Sequence, residues 1–183
     1  MNMARTEPAD TTHFAMLAVD EPKVSRSNIQ VEHISIVSQR TYREVRAALE
    51  MLPQFDDRIR TLLQYGEIDR VKAELKRIQG NSDLTLFSVA THGDWLQIRS
   101  GKRNATQFLI GNVLVSTRMT QHKLAAGLYA PLRIMLYENE AGTATFEYDR
   151  PSTLFGQYGN AIVTSIAEQL DRKIYDALIK ASK

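Results

Sequence analysis

From Ile29 to Val37 the chain alternates: Val31, His33, Ser35 and Val37 fall on one side, Glu32, Ile34 and Ile36 on the other. A period of two with this many β-branched residues predicts a strand. The spacing then lengthens. Tyr42, Val45, Leu49 and Leu52 share one helical face, Thr41 and Glu44 form a capping box ahead of it, and Pro53 stops it. Asp56 and Asp57 can cap a second helical stretch through Leu63, interrupted by Gly66. Ile68, Val71, Leu75 and Ile78 repeat the helical spacing as far as Gly80.

Beyond Leu84 the period returns towards two. Leu84 to Ala90 and Gln107 to Ile110 read as strands, whereas Trp95, Leu96 and Ile98 fit a strand or a short helix equally. Thr117 to His122 reads as a segment crossing an edge of the sheet. Leu132 to Glu138 and Thr143 to Tyr148 form the clearest hairpin, with Gly142 in the left-handed position after a type I turn. In that register Asn139 faces Thr143, Leu136 opposes Phe146 and Ile134 opposes Tyr148. On the other face Tyr137 opposes Thr145, Met135 opposes Glu147 and Arg133 opposes Asp149. A final helix spans Asn160 to Lys180, with Ile162, Ile166, Leu170, Ile174 and Leu178 at steps of four. An amphipathic helix must bury its stripe, so the expected architecture is α+β: a two-layer sandwich of a mainly antiparallel sheet with helices on one face. Residues 1–28, with Pro8, Pro22 and no sustained period, are expected to be a flexible arm ahead of a single domain at 29–183.

Composition narrows the function less than the fold. The 183 residues carry 23 basic and 21 acidic side chains, a net charge of +2 that generates little long-range field, and no Lys or Arg run marks a nucleic-acid face. Nucleic acid is therefore disfavoured as a partner. Zero cysteines remove disulfides, thiolate nucleophiles and cysteine-held metals together. No apolar run approaches the roughly twenty residues of a spanning helix, and none resembles a signal peptide. The expectation is a cytoplasmic protein without a membrane partner.

Motifs for chemistry are sparse. None of the four histidines has a partner at metal-binding helical spacing, so no metal is expected. No nucleophile elbow or glycine-rich phosphate loop occurs, so no cofactor is indicated. His92, at a strand end before Gly93 and Asp94, is the leading acid–base candidate, with Asp94 as a carboxylate that could fix its tautomer. Glu147 is the second catalytic candidate. The mixed hairpin face supplies ligand-binding candidates: Met135 and Tyr137 as an apolar floor, Arg133 as a polar contact, with Asn112 and Asp149 completing the set. The same face suits a subunit interface, where Arg, Tyr and Met are enriched, and it also fits a solvated surface.

Four strings, in order, resemble the domain-of-unknown-function 302 family: Thr91-His92, Phe108-Leu109-Ile110-Gly111-Asn112, Ala130-Pro131-Leu132-Arg133-Ile134 and Phe146-Glu147-Tyr148-Asp149-Arg150-Pro151. The resemblance covers roughly residues 84–181, with 53–80 as an additional helical segment. It implies a β-α-β4-α arrangement similar to the TATA-binding-protein-like folds, a homodimer, and no settled activity. Two functional expectations stand side by side. One is a homodimeric small-molecule-binding domain, enzymatic or not. The other is a non-enzymatic dimerisation module.

Overall fold

A computed structural model describes residues 22–183. Five strands assemble into one sheet: β1 (His33–Val37), β2 (Thr85–Ala90), β3 (Ala105–Gly111), β4 (Leu132–Glu138) and β5 (Ala144–Asp149). The spatial order is β1-β5-β4-β3-β2 and every neighbouring pair is antiparallel. The hairpin has the expected register, with Ile134 opposite Tyr148 and Leu136 opposite Phe146. Gly142 sits at φ +77°, the left-handed conformation the turn requires, and the Asn139 side chain ties the turn to Thr143 and Thr145. The expected α+β class and the covering of one sheet face by helices are thus found.

The described residues hold seven α-helices: α1 (Tyr42–Glu50), α2 (Arg58–Gln64), α3 (Ile68–Gln79), α4 (His92–Trp95), α5 (Val113–Thr120), α6 (Pro151–Gly156) and α7 (Ala161–Ser182). Of these, α1 and α7 pack on that face, α5 and α6 pack against α7, and α4 lies apart at one sheet end. The Thr41–Glu44 capping box is formed, and Tyr42, Val45 and Leu49 are buried as their spacing demands. The core runs between sheet and helices through Phe108, Ile134, Leu136 and Phe146 from the strands and Val45, Ile166, Ile174 and Leu178 from the helices. Within it the Tyr42 and Thr106 hydroxyls satisfy each other. A satellite cluster of Ile59, Val71 and Leu75 holds α2 and α3 together.

Several sequence expectations are corrected. The first strand begins at His33, and residues 29–32 lie outside it. The choice between strand and short helix, left open by the sequence at 94–99, falls to helix: residues 94–98 lie in α4 and a following 3-10 turn. Thr117 to Thr120 belongs to α5, which Asn112 caps, and is not a crossing segment. On α7 the buried stripe is carried by Val163, Ala167 and Asp171 beside Ile166, Leu170, Ile174 and Leu178, while Ile162 is exposed. Steps of four drift off a 3.6-residue period, so the first member of the expected stripe rotates into solvent. Most of the expected arm, residues 1–21, lies outside the described residues.

The two sheet edges differ. Outside β2, a short extended segment runs parallel to the strand: Phe55 N–H donates to Leu86 O and Leu86 N–H to Pro53 O. Beyond that contact β2 bulges at Phe87, whose ring stacks on Phe55 at 4.7 Å between centroids. On the far side, β1 carries no strand on its outer edge among the described residues.

Candidate functional site

Alternation along the strands leaves the second sheet face without helices. Its side chains form three rows across the sheet: His33, Asp149, Arg133, Leu109 and Ser88; Ser35, Glu147, Met135, Gln107 and Ala90; Val37, Thr145, Tyr137 and Ala105. The second of these centres on Met135, half-buried like Gln107, Glu147 and Tyr137, whereas Arg133 and His33 are exposed. Apolar, aromatic and charged groups therefore share one sheet face.

The hairpin register places Arg133, Met135, Tyr137, Glu147 and Asp149 together, as expected. Their partners are not those expected. Asp149 turns to β1: its Oδ1 lies 2.9 Å from His33 Nδ1, and His33 Nε2 lies 3.5 Å from Glu147 Oε2. The Tyr137 hydroxyl donates to Glu147 Oε1 at 2.8 Å. Arg133 forms no ion pair among the described residues, so the expected Arg133–Asp149 pair is replaced by His33–Asp149. The imidazolium is favoured first by its bond to Asp149 and then by both carboxylates' charge, which raises the His33 pKa above its ordinary value. The bond to Glu147 likewise raises that of Tyr137, since ionising the phenol would lose it and set two negative charges side by side.

Two other candidates lie elsewhere. His92 opens α4 beyond the end of β2, three strand spacings from β5 or about 14 Å from Glu147, so the two do not converge. Asp94 does not orient His92; its carboxylate takes Lys102 Nζ at 2.8 Å. Asn112 is buried and its amide is fully engaged. Its oxygen accepts from Val115 N–H and Gln79 Nε2, and its nitrogen donates to both Asp83 oxygens, backbone and side-chain. An amide with two acceptor and two donor positions filled has none left for a ligand.

Two groups escaped the sequence reading. His33 gains its role only through the β1–β5 pairing, between residues 116 apart. Asp171 is nearly buried on α7, accepting Arg150 Nε at 2.9 Å and Ser152 N–H at 2.8 Å, while Arg150 also reaches Glu32 at 2.8 Å. The two carboxylates hold the Arg150 guanidinium firmly in its charged form. Nearby, burial first and the Asp171 charge second push the Tyr148 phenol up to about 12. A signal was present: a carboxylate on the stripe between Ala167 and Ile174 must find a partner.

Cavities are found on the helical side and at the sheet ends. One of about 120 Å³ lies under Phe87, Met119 and Phe155; a groove of about 760 Å³ separates the end of α1 from α7, with Leu49, Leu52, Ala177 and Lys180 in its walls. Neither draws a wall from Met135, Tyr137 or Glu147.

A five-strand antiparallel sheet with helices on one side and a mixed open face defines an α+β sandwich of the β-α-β4-α type. The family model of the domain of unknown function DUF302 matches residues 59–181, and the chain belongs to that family. The match takes in residues 59–80, most of the helical segment that looked additional. Among solved structures, the chain is similar to an uncharacterized conserved protein DUF302 from Bacillus stearothermophilus. The TM-score is 0.57 at 15% identity, covering 82% of this chain and 98% of that one. That likeness concerns the fold alone. Among curated proteins none matches.

Proposed function

We propose that the protein is a homodimeric, non-enzymatic assembly domain whose open sheet face packs against a second copy. The observation that carries this is the self-complementary charge of that face: Arg133 has no partner among the described residues, yet Glu147 and Asp149 lie on the same surface two strand spacings or less away. A two-fold interface brings one patch onto itself, so it needs both signs within the patch. Five strands present roughly 500 Å² in projection, the order of the about 800 Å² per partner of ordinary interfaces. Neither cavity described above opens on this face, and small molecules bind in concave sites.

Light scattering tests it. The protein is expected to run at twice 20.7 kDa at micromolar concentration, and Met135→Glu, which sets a second carboxylate opposite Glu147, to fall to the monomer with its fold intact. A wild-type mass near 20.7 kDa would overturn the proposal.

A second reading, a small-molecule ligand on the same face, is supported by the chain of polar contacts Tyr137–Glu147–His33–Asp149 beside Arg133, which has no ion pair among the described residues. Native mass spectrometry showing a stoichiometric bound compound would favour it. Catalysis by His92 with Glu147 is not part of either reading, because three strand spacings separate them.

A further inference from the structure

The connection between β2 and β3 is built as a closed loop. At its base Gly93 is buried and crosses the chain so closely that a β-carbon there would lie 1.8 Å from Arg103 O. Arg103 N–H donates to Gly93 O, and Lys102 bridges to Asp94 beside it. Inside the loop, Leu96 O accepts from the N–H groups of Arg99, Ser100 and Gly101. Ends held together and internal bonds of this kind make a compact surface loop of fixed shape.

The loop groups its exposed apolar side chains together: Trp95 is 72% exposed and Ile98 74%, with Leu96 also exposed between them. Arg99, Lys102 and Arg103 are exposed on the same loop, and of its charged side chains only Asp94 is acidic. Neither Arg99 nor Arg103 forms an ion pair among the described residues. The tip thus carries apolar side chains, with Arg99 and Arg103 as unpaired cations on the same loop and Lys102 held by Asp94.

We propose that this loop docks the protein on an anionic lipid surface, Trp95, Leu96 and Ile98 entering the headgroup layer and Arg99 and Arg103 meeting lipid phosphates and carboxylates. An exposed apolar tip needs either a matching cavity or a medium that yields around it, and a bilayer interface yields. Tryptophan partitions to that layer, and cations near an anionic leaflet each add to binding. No helix among the described residues is long and apolar enough to cross a membrane, and a surface contact needs none. The expectation of no membrane partner rests on the lack of a spanning segment and does not bear on such a contact.

Trp95 is the sole tryptophan, so its emission reports the tip alone. Full-length protein is titrated with vesicles of phosphatidylcholine, with and without about a third phosphatidylglycerol, at low and high salt. A blue shift with the anionic vesicles, quenching by lipids brominated high on the chain, and reversal by salt are expected. Arg99→Gln with Arg103→Gln should lower the partition coefficient roughly 30-fold, each cation near an anionic surface being worth a factor of about five. Ile98→Ser should weaken it further, with unchanged circular dichroism in both variants. No shift on anionic vesicles overturns the proposal, as does an equal shift on pure phosphatidylcholine. So does a shift produced by single-stranded oligonucleotide at matched salt, or by protein concentration alone, which would assign the tip to nucleic acid or to a second copy.

Discussion

Ile134 and Met135 are neighbours on β4 that face opposite ways. Ile134 meets Phe108 and Tyr148 across the strands on the helix-covered side and is fully buried. Met135 meets Gln107 and Glu147 on the open side and is half-buried. The same contrast separates Phe108 from Leu109 on β3. One face has exhausted its apolar area in folding, and its polar groups are paired off. The other holds apolar area and an unpaired guanidinium beyond what a single copy uses. Antiparallel sheets commonly carry polar residues on their free face; Leu109, Met135 and Tyr137 depart from that pattern, and the proposed interface would use them.

The contrast can be broken by substitution. The largest effect belongs to Phe108→Ala, which empties a fully buried ring position and should cost about 3–5 kcal/mol in urea unfolding. Leu109→Ala next to it should cost under about 1.5 kcal/mol in dilute monomer and act mainly on self-association. Equal losses in monomer would mean that the open face is covered within one chain. Asp171→Ala comes next, at roughly 2–3 kcal/mol, since it removes charge-assisted bonds to Arg150 and to the first turn of α6. Arg150 keeps Glu32 and partial access to water, so the loss should stop short of that for a stranded buried charge.

The smallest effect is the pH dependence of His33 on the open face. Its folded pKa is raised, so the fold favours the protonated ring. That contribution is fully present below the unfolded value of about 6.5 and is lost as pH rises through the raised folded value. The ring is largely exposed, so less than about 1 kcal/mol is expected. Stability of wild type minus His33→Gln, measured from pH 5 to 9, should fall across that window, and Asp149→Asn should flatten the fall. A difference that grows with pH would contradict the pairing.

Local chemistry was legible in the sequence and long-range pairing was not. Thr41 with Glu44, and Asn139 with Gly142, announce their own geometry because every interacting group lies within six residues. From the hairpin alone, Asp149 has Arg133 as its natural partner. Only the arrival of β1 alongside β5 offers it His33, which lies directly opposite and closer at hand. Asn112 illustrates the converse: a side chain that looks available in a loop is spent on capping α5 and clasping the Asp83 turn. Residues 94–99 stayed ambiguous because their shape is set by the Gly93–Arg103 crossing rather than by any periodicity.

The unequal sheet edges govern how such a domain can assemble. Hydrogen-bonded growth of a sheet requires two reactive ends per unit, as polymerisation requires bifunctional monomers. Pro53–Phe55 occupies β2 at Leu86 and the bulge at Phe87 bends the rest away, so that end is terminated. Among the described residues β1 is then the one edge with no segment beside it, so hydrogen-bonded edge joining would have that edge to use and not the one at Leu86.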